Sequence, residues 1–134
     1  MAGNTSRQDL HLFALWQVIG LGMLAYIVYV SLIPHPPLMF GQWSDKVYHF
    51  VGYFVLTAWY AQLYAASRHR YLLALSFLSL GVLLEFAQLL VNERSFELLD
   101  MLANGLGVLV AWLITRGRLS RLLLYCEQKI LSGK

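Results

Sequence analysis

Asp45 and His49 are separated by four residues, as are His49 and Tyr53, and Asp100 and Asn104; Glu85 and Gln88 are separated by three. Each pair therefore shares one face of a helix. Lys46 and Arg94 add two cations to the set. A carboxylate beside an imidazole suits proton transfer, and a raised-pKa glutamate paired with a histidine would serve as an acid–base couple, which makes His49 and Glu85 the candidate catalytic residues. Ammonium and guanidinium groups suit phosphate oxygens, so Lys46 and Arg94 point to an anionic headgroup. Plainer roles compete. Asp45 can cap a helix that opens just before an apolar run, Lys46 and Arg94 can anchor helix ends at an interface, and Asp100 with Asn104 can be a cap and an interhelical hydrogen bond.

The elements that must position these residues are apolar and long. Of the 134 residues 59% are hydrophobic and 13% charged, about half the charged fraction of an ordinary soluble domain. So small a chain has too much surface to cover itself in water with so few polar groups. The apolar residues fall in four blocks, predicting spans at about 11–33, 46–66, 71–91 and 98–115. The first has no formal charge between Leu12 and Ile33 and is too long for a secretory leader. Pro34, Pro36 and Pro37 end it. The cluster Ser67–Arg70 closes the second block, and Asn92–Ser95 the third. The expected fold is an all-α membrane protein, a four-transmembrane-helix bundle in one domain over 11–116. Residues 1–10 precede it, and a short amphipathic helix follows in 117–134.

Basic residues in short flanks concentrate on the cytoplasmic side. Arg7, Arg68, Arg70, Arg116, Arg118, Arg121, Lys129 and Lys134 fall in the two termini and the middle loop, against Lys46 and Arg94 on the other side. Both termini are thus expected in the cytoplasm of a bacterial plasma membrane. Trp16, Trp43, Tyr48, Tyr71 and Trp112 sit where interfacial aromatics belong. In the tail, Leu119, Leu122, Leu123, Cys126 and Ile130 share a helical face, with Arg118, Arg121 and Gln128 largely opposite, which suits a helix lying on the inner leaflet.

In this topology the polar residues collect at one depth, in the outer leaflet. Glu85 lies six residues before Val91, roughly 9 Å below the helix end at 1.5 Å per residue. An intramembrane carboxylate there must face the bundle interior and find a partner, with His49, Lys46 and Arg94 as candidates. Gly52, Gly81, Gly105 and Gly107, and in the first helix Gly20 and Gly22, would let helices approach closely. The single cysteine, Cys126, excludes an intrachain disulfide. A formal charge of +3 is too small and dispersed for nucleic acid. Metal-ligand spacing such as paired histidines on one helix is missing, so neither metal nor cofactor is expected.

These residues stand in a pattern that resembles the VanZ-like family of small bacterial membrane proteins. The resemblance spans about Trp43 to Trp112. It rests on Asp45-Lys46-Val47-Tyr48-His49-Phe50 with Gly52-Tyr53, on Glu85-Phe86-Ala87-Gln88, and on the run from Arg94 through Asp100 and Asn104 to Gly107. It implies an integral membrane protein of the cell envelope, a link to resistance against the glycopeptide teicoplanin, and no defined reaction or cofactor. The resulting expectation is binding of a lipid headgroup or lipid-linked envelope intermediate by Asp45, Lys46, His49, Tyr53, Glu85, Gln88, Arg94, Asp100 and Asn104, with membrane lipids as partners. Two alternatives stand beside it. One is a membrane-embedded hydrolase or transferase using His49 and Glu85; the other is a small transporter.

Overall fold

The computed structural model describes residues 8–36 and 41–133, without the side chains of residues 41–44 and 118. Arg7, Pro37 and Lys134, and the side chains of Trp43 and Arg118, lie outside the described residues. Five α-helices follow in order: α1 (Phe13–Leu32), α2 (Gly41–Leu63), α3 (Ser67–Gln88), α4 (Leu98–Ile114) and α5 (Leu122–Leu131). A 3-10 turn, Gly117–Arg121, leads into α5. No strand occurs among the described residues. Two helices, α1 and α3, are long and apolar enough to cross a membrane, which gives the chain the character of a membrane protein.

The helix boundaries differ from expectation in instructive ways. Ser67–Arg70 is the first turn of α3 rather than a loop. The connection shrinks to Tyr64–Ala66, because polar side chains are at no disadvantage in a helix's opening turn, whose amide groups have no helical partners. Helix α2 begins at Gly41, a full turn before Asp45. Asp45 is therefore an interior helix residue and not a cap. Asp100 lies in the first turn of α4, whose N-cap residue, Glu97, makes no side-chain capping bond.

Contacts along the helices fix their directions. Asn104 meets His49 and Gln62 meets Leu119, so α2 and α4 run parallel. Arg70 bonds the Thr115 carbonyl and Gly81 abuts Asn104, so α3 and α4 are antiparallel. Gly20 lies against Tyr60 while Ile27 lies near Gly52, so α1 opposes α2.

The tightest seam joins α2 to α4. A Cβ at Gly107 would collide with the Phe50 carbonyl oxygen and lie 3.0 Å from the Phe54 nitrogen. Backbone approaches this close are what small residues permit between membrane helices. Gly20 does the same for α1, where an added Cβ would sit 3.0 Å from the Tyr60 ring. Gly22 faces open space and has no such role. Tyr53, Leu56, Tyr60, Leu63, Phe77 and Val108 form the interior.

The tail folds as the short helix expected; Leu123 and Leu124 pack against the core, and polar contacts fasten it further. Gln62 reaches from α2 to donate to the Leu119 carbonyl at 2.7 Å and to accept the Leu123 amide at 3.2 Å. Glu127 is buried, and its Oε1 accepts the Leu12 amide at 2.6 Å. Gln8 donates to the Ser120 carbonyl at 3.3 Å. Of the apolar face read from the sequence, Leu123 turns inward, while Leu119, Leu122, Cys126 and Ile130 stay exposed.

Candidate functional site

The start of α2, the end of α3 and the start of α4 converge at the bundle end opposite α5. His49 is the hub. Its Nδ1 donates to Asn104 Oδ1 at 2.9 Å, the only direction that bond can take with a carbonyl acceptor. Its Nε2 lies 3.6 Å from Asp100 Oδ2 and 3.8 Å from Asp45 Oδ1. Glu85 Oε1 lies 3.9 Å from His49 Nδ1. Four of the residues singled out from spacing thus surround the imidazole: Asp45, Glu85, Asp100 and Asn104.

Lys46 has different partners from those expected. Its ammonium bonds Glu97 Oε2 at 2.7 Å and Asp100 Oδ1 at 2.9 Å, and it does not reach Glu85. The Asp100 side chain is 4% exposed and the Glu97 side chain 46%, so the pair anchoring α2 to α4 is the one with Asp100. Glu85 is fully buried. Its Oε2 accepts a long bond from the Glu97 amide at 3.5 Å, and its Oε1 has no hydrogen-bond partner among the described residues. The Tyr53 hydroxyl is likewise buried without a partner.

Gln88 and Arg94 perform a task that spacing did not foretell. Both donate to the carbonyl of Ser31, at 3.1 Å and 3.4 Å, tying the end of α1 to α3 and the loop after it. That carbonyl is left over at the helix terminus, and no side-chain pattern announces it. Glu97 was also absent from the candidate set. Its signal was present, since it stands three residues before Asp100 beside the start of a helix whose acid faces Lys46.

Around the point where Ile27 approaches Gly52, a gap remains between α1 and α2. The gap is a cleft of about 370 Å³ bordered by Met23, Ile27, Val30, Val51 and Val55 along its walls and by Asp45, His49, Tyr53 and Arg94 at its polar end. Lys46, Glu85, Gln88, Asp100 and Asn104 do not line it. Asp45 and His49 are therefore shared between the buried cluster and the cleft, and Arg94 is the cation at the opening.

Comparison with protein-family models, curated proteins and solved structures finds no match for the chain. What the arrangement can do rests on its own chemistry. Four carboxylates (Asp45, Glu85, Glu97, Asp100) face two permanent cations (Lys46, Arg94), so the cluster attracts positive charge as a whole. The cleft beside it offers an anion only Arg94.

Proposed function

We propose that the chain is a four-span membrane protein, with both termini on the cytoplasmic side, that holds the headgroup of a lipid or lipid-linked envelope intermediate in the cleft between α1 and α2. The observation behind this reading is the cleft's polarity: one end carries Asp45, His49 and Arg94, and the walls are aliphatic. An amphipathic ligand fits such a space with its phosphate at Arg94, its hydroxyl or amine groups at Asp45, and its chain along α1. Ligand sites of this kind combine apolar walls with a few placed polar groups.

The four-span topology has support of its own. Helices α2 and α4 run alongside α1 and α3, and their outward residues Val47, Leu102, Leu106, Leu109 and Leu113 are apolar and exposed. The polar residues that lower the hydropathy of α2 include Lys46 and His49, which turn inward toward α4. At 17 residues α4 is short, about 25 Å at 1.5 Å per residue, which spans a core of roughly 30 Å with local thinning. The excess of basic residues at both termini and in the middle loop sets the orientation. Membership in a VanZ-like group of envelope proteins accords with this picture.

Acid–base catalysis by His49 and Glu85 is the less favoured reading. The Nδ1 proton that would face Glu85 is given to Asn104, and Glu85 does not border the cleft. Native mass spectrometry of protein extracted with its lipids tests the binding proposal. Wild type is expected to retain a discrete phosphate-containing species. Val51→Trp, which fills the cleft from an exposed position, and Arg94→Met should both lose it. Equal retention by all three folded proteins would overturn the proposal.

A further inference from the structure

We infer that Asp45, His49 and Asp100 form a binding site for one divalent cation of the Zn²⁺ or Mn²⁺ class, with one coordination position open to the cleft. This inference does not depend on the lipid reading. Asp45 and His49 are one helical turn apart on α2, and Asp100 comes from the first turn of α4. The three residues bring one ligand atom each to within 4.8 Å of one another. Donor atoms bound tetrahedrally at roughly 2.0–2.2 Å from one ion lie about 3.3–3.6 Å apart. The separations of 3.6 Å and 3.8 Å from His49 Nε2 to the two carboxylate oxygens are close to that spacing.

The placement of His49 distinguishes this site from an accidental gathering of acids. The His49 side chain is 9% exposed, and its Nε2 faces the Asp100 and Asp45 carboxylates at 3.6 Å and 3.8 Å. With Nδ1 turned to the Asn104 oxygen, Nε2 is the ring atom directed at the two carboxylate oxygens. A carbonyl that fixes the tautomer through Nδ1–H is the usual support of a histidine ligand, and Asn104 supplies one here.

The neighbouring groups complete the arrangement. Lys46 occupies Asp100 Oδ1 and leaves Oδ2 for the ion. Around the site carboxylates outnumber the permanent cations, and a divalent ion offsets that excess in a region where net charge is costly. Asp45 and His49 border the cleft while Asp100 does not, so the ion's remaining position points into that space. Imidazole and carboxylate donors together favour Zn²⁺ or Mn²⁺ over a hard ion bound by oxygen alone.

The test is calorimetric titration of Zn²⁺ and Mn²⁺ into the full-length protein in detergent, after chelation, with the visible spectrum of added Co²⁺ as a second readout. Wild type is expected to take one equivalent of ion and to give the spectrum of nitrogen- and oxygen-coordinated cobalt. His49→Gln and Asp100→Asn should abolish both signals. Asn104→Ala should weaken binding by about 10–100-fold, as loss of a supporting partner does, and Glu97→Gln should bind as wild type does. Circular dichroism and gel filtration establish that each variant is folded. No stoichiometric uptake of any of the three ions by wild type overturns the inference, leaving an imidazolium paired with the two aspartates. Equal uptake by wild type and a folded His49→Gln protein also overturns it.

Discussion

Lys46 donates to Asp100 Oδ1 at 2.9 Å, joining the second turn of α2 to the first turn of α4, where the Asp100 side chain is 4% exposed. Removing one member of a buried pair strands the other, which commonly costs about 3–5 kcal/mol. Lys46→Met is therefore expected to destabilise the protein strongly, as read by denaturant unfolding in micelles. Glu97, the more exposed partner, contributes less, and Glu97→Gln should cost under about 1 kcal/mol. The double variant Lys46→Met/Asp100→Asn should recover most of the loss, because the carboxylate then left without Lys46 is the more exposed Glu97.

Gly107 sets the distance between α2 and α4. Gly107→Val forces the added atoms against the Phe50 and Phe54 backbone, which cannot yield as a side chain does. A loss of about 1–3 kcal/mol or more is expected from such overpacking. Gly22→Ala, which meets open space, should leave the thermal midpoint unchanged or raise it slightly through helix propensity.

Cys126 is the single cysteine and is exposed, so it reports which side of the membrane the tail occupies. In sealed right-side-out vesicles a charged maleimide should leave it unlabelled until the membrane is opened. In a Cys126→Ser background, Ser95→Cys should label at once. The reverse pattern would require the opposite orientation, and labelling of both from one side would mean an even number of spans between them.

The tail's attachment also makes a specific prediction. Glu127 accepts the Leu12 amide at 2.6 Å from a buried position. Hydrogen bonds to charged groups contribute about 1.5–3 kcal/mol. Glu127→Ala should therefore speed exchange of the Leu12 amide by at least about tenfold and loosen α5, while amides in α4 keep their protection. Unchanged exchange at Leu12 would mean that the tail is held elsewhere.

The sequence conveyed the helical architecture and the company of His49 because both follow from local period. Helical spacing put Asp45 and His49 on one face and Asp100 and Asn104 on another, and the apolar blocks placed both faces at the same bundle end. Lys46 was harder to read. Its choice of Asp100 and Glu97 over Glu85 depends on how α2 and α4 are rotated against each other, and that rotation is fixed by Gly107 rather than by any charge. The role of Gln88 and Arg94 was hidden for another reason: their acceptor is a main-chain oxygen, which every residue possesses. The tail's apolar face was legible, and Leu119, Leu122, Cys126 and Ile130 do stay exposed; its fastenings were not, because Gln62 and Glu127 act on main-chain groups of Leu119, Leu123 and Leu12.

Helix α1 is fastened at two points, where Trp59 donates to the Trp16 carbonyl at 3.0 Å and where Gln88 and Arg94 hold Ser31. Between them it spans the cleft like the rail of an open window. The other three helices form a stiff frame closed by Gly107. The ligand proposed for the cleft would pass beside this rail from the plane of the bilayer, with no helix unwinding or leaving the frame. The rate of exchange would then be set by how far the rail bows, so stiffening or loosening either fastening would change residence time before it changed what is bound.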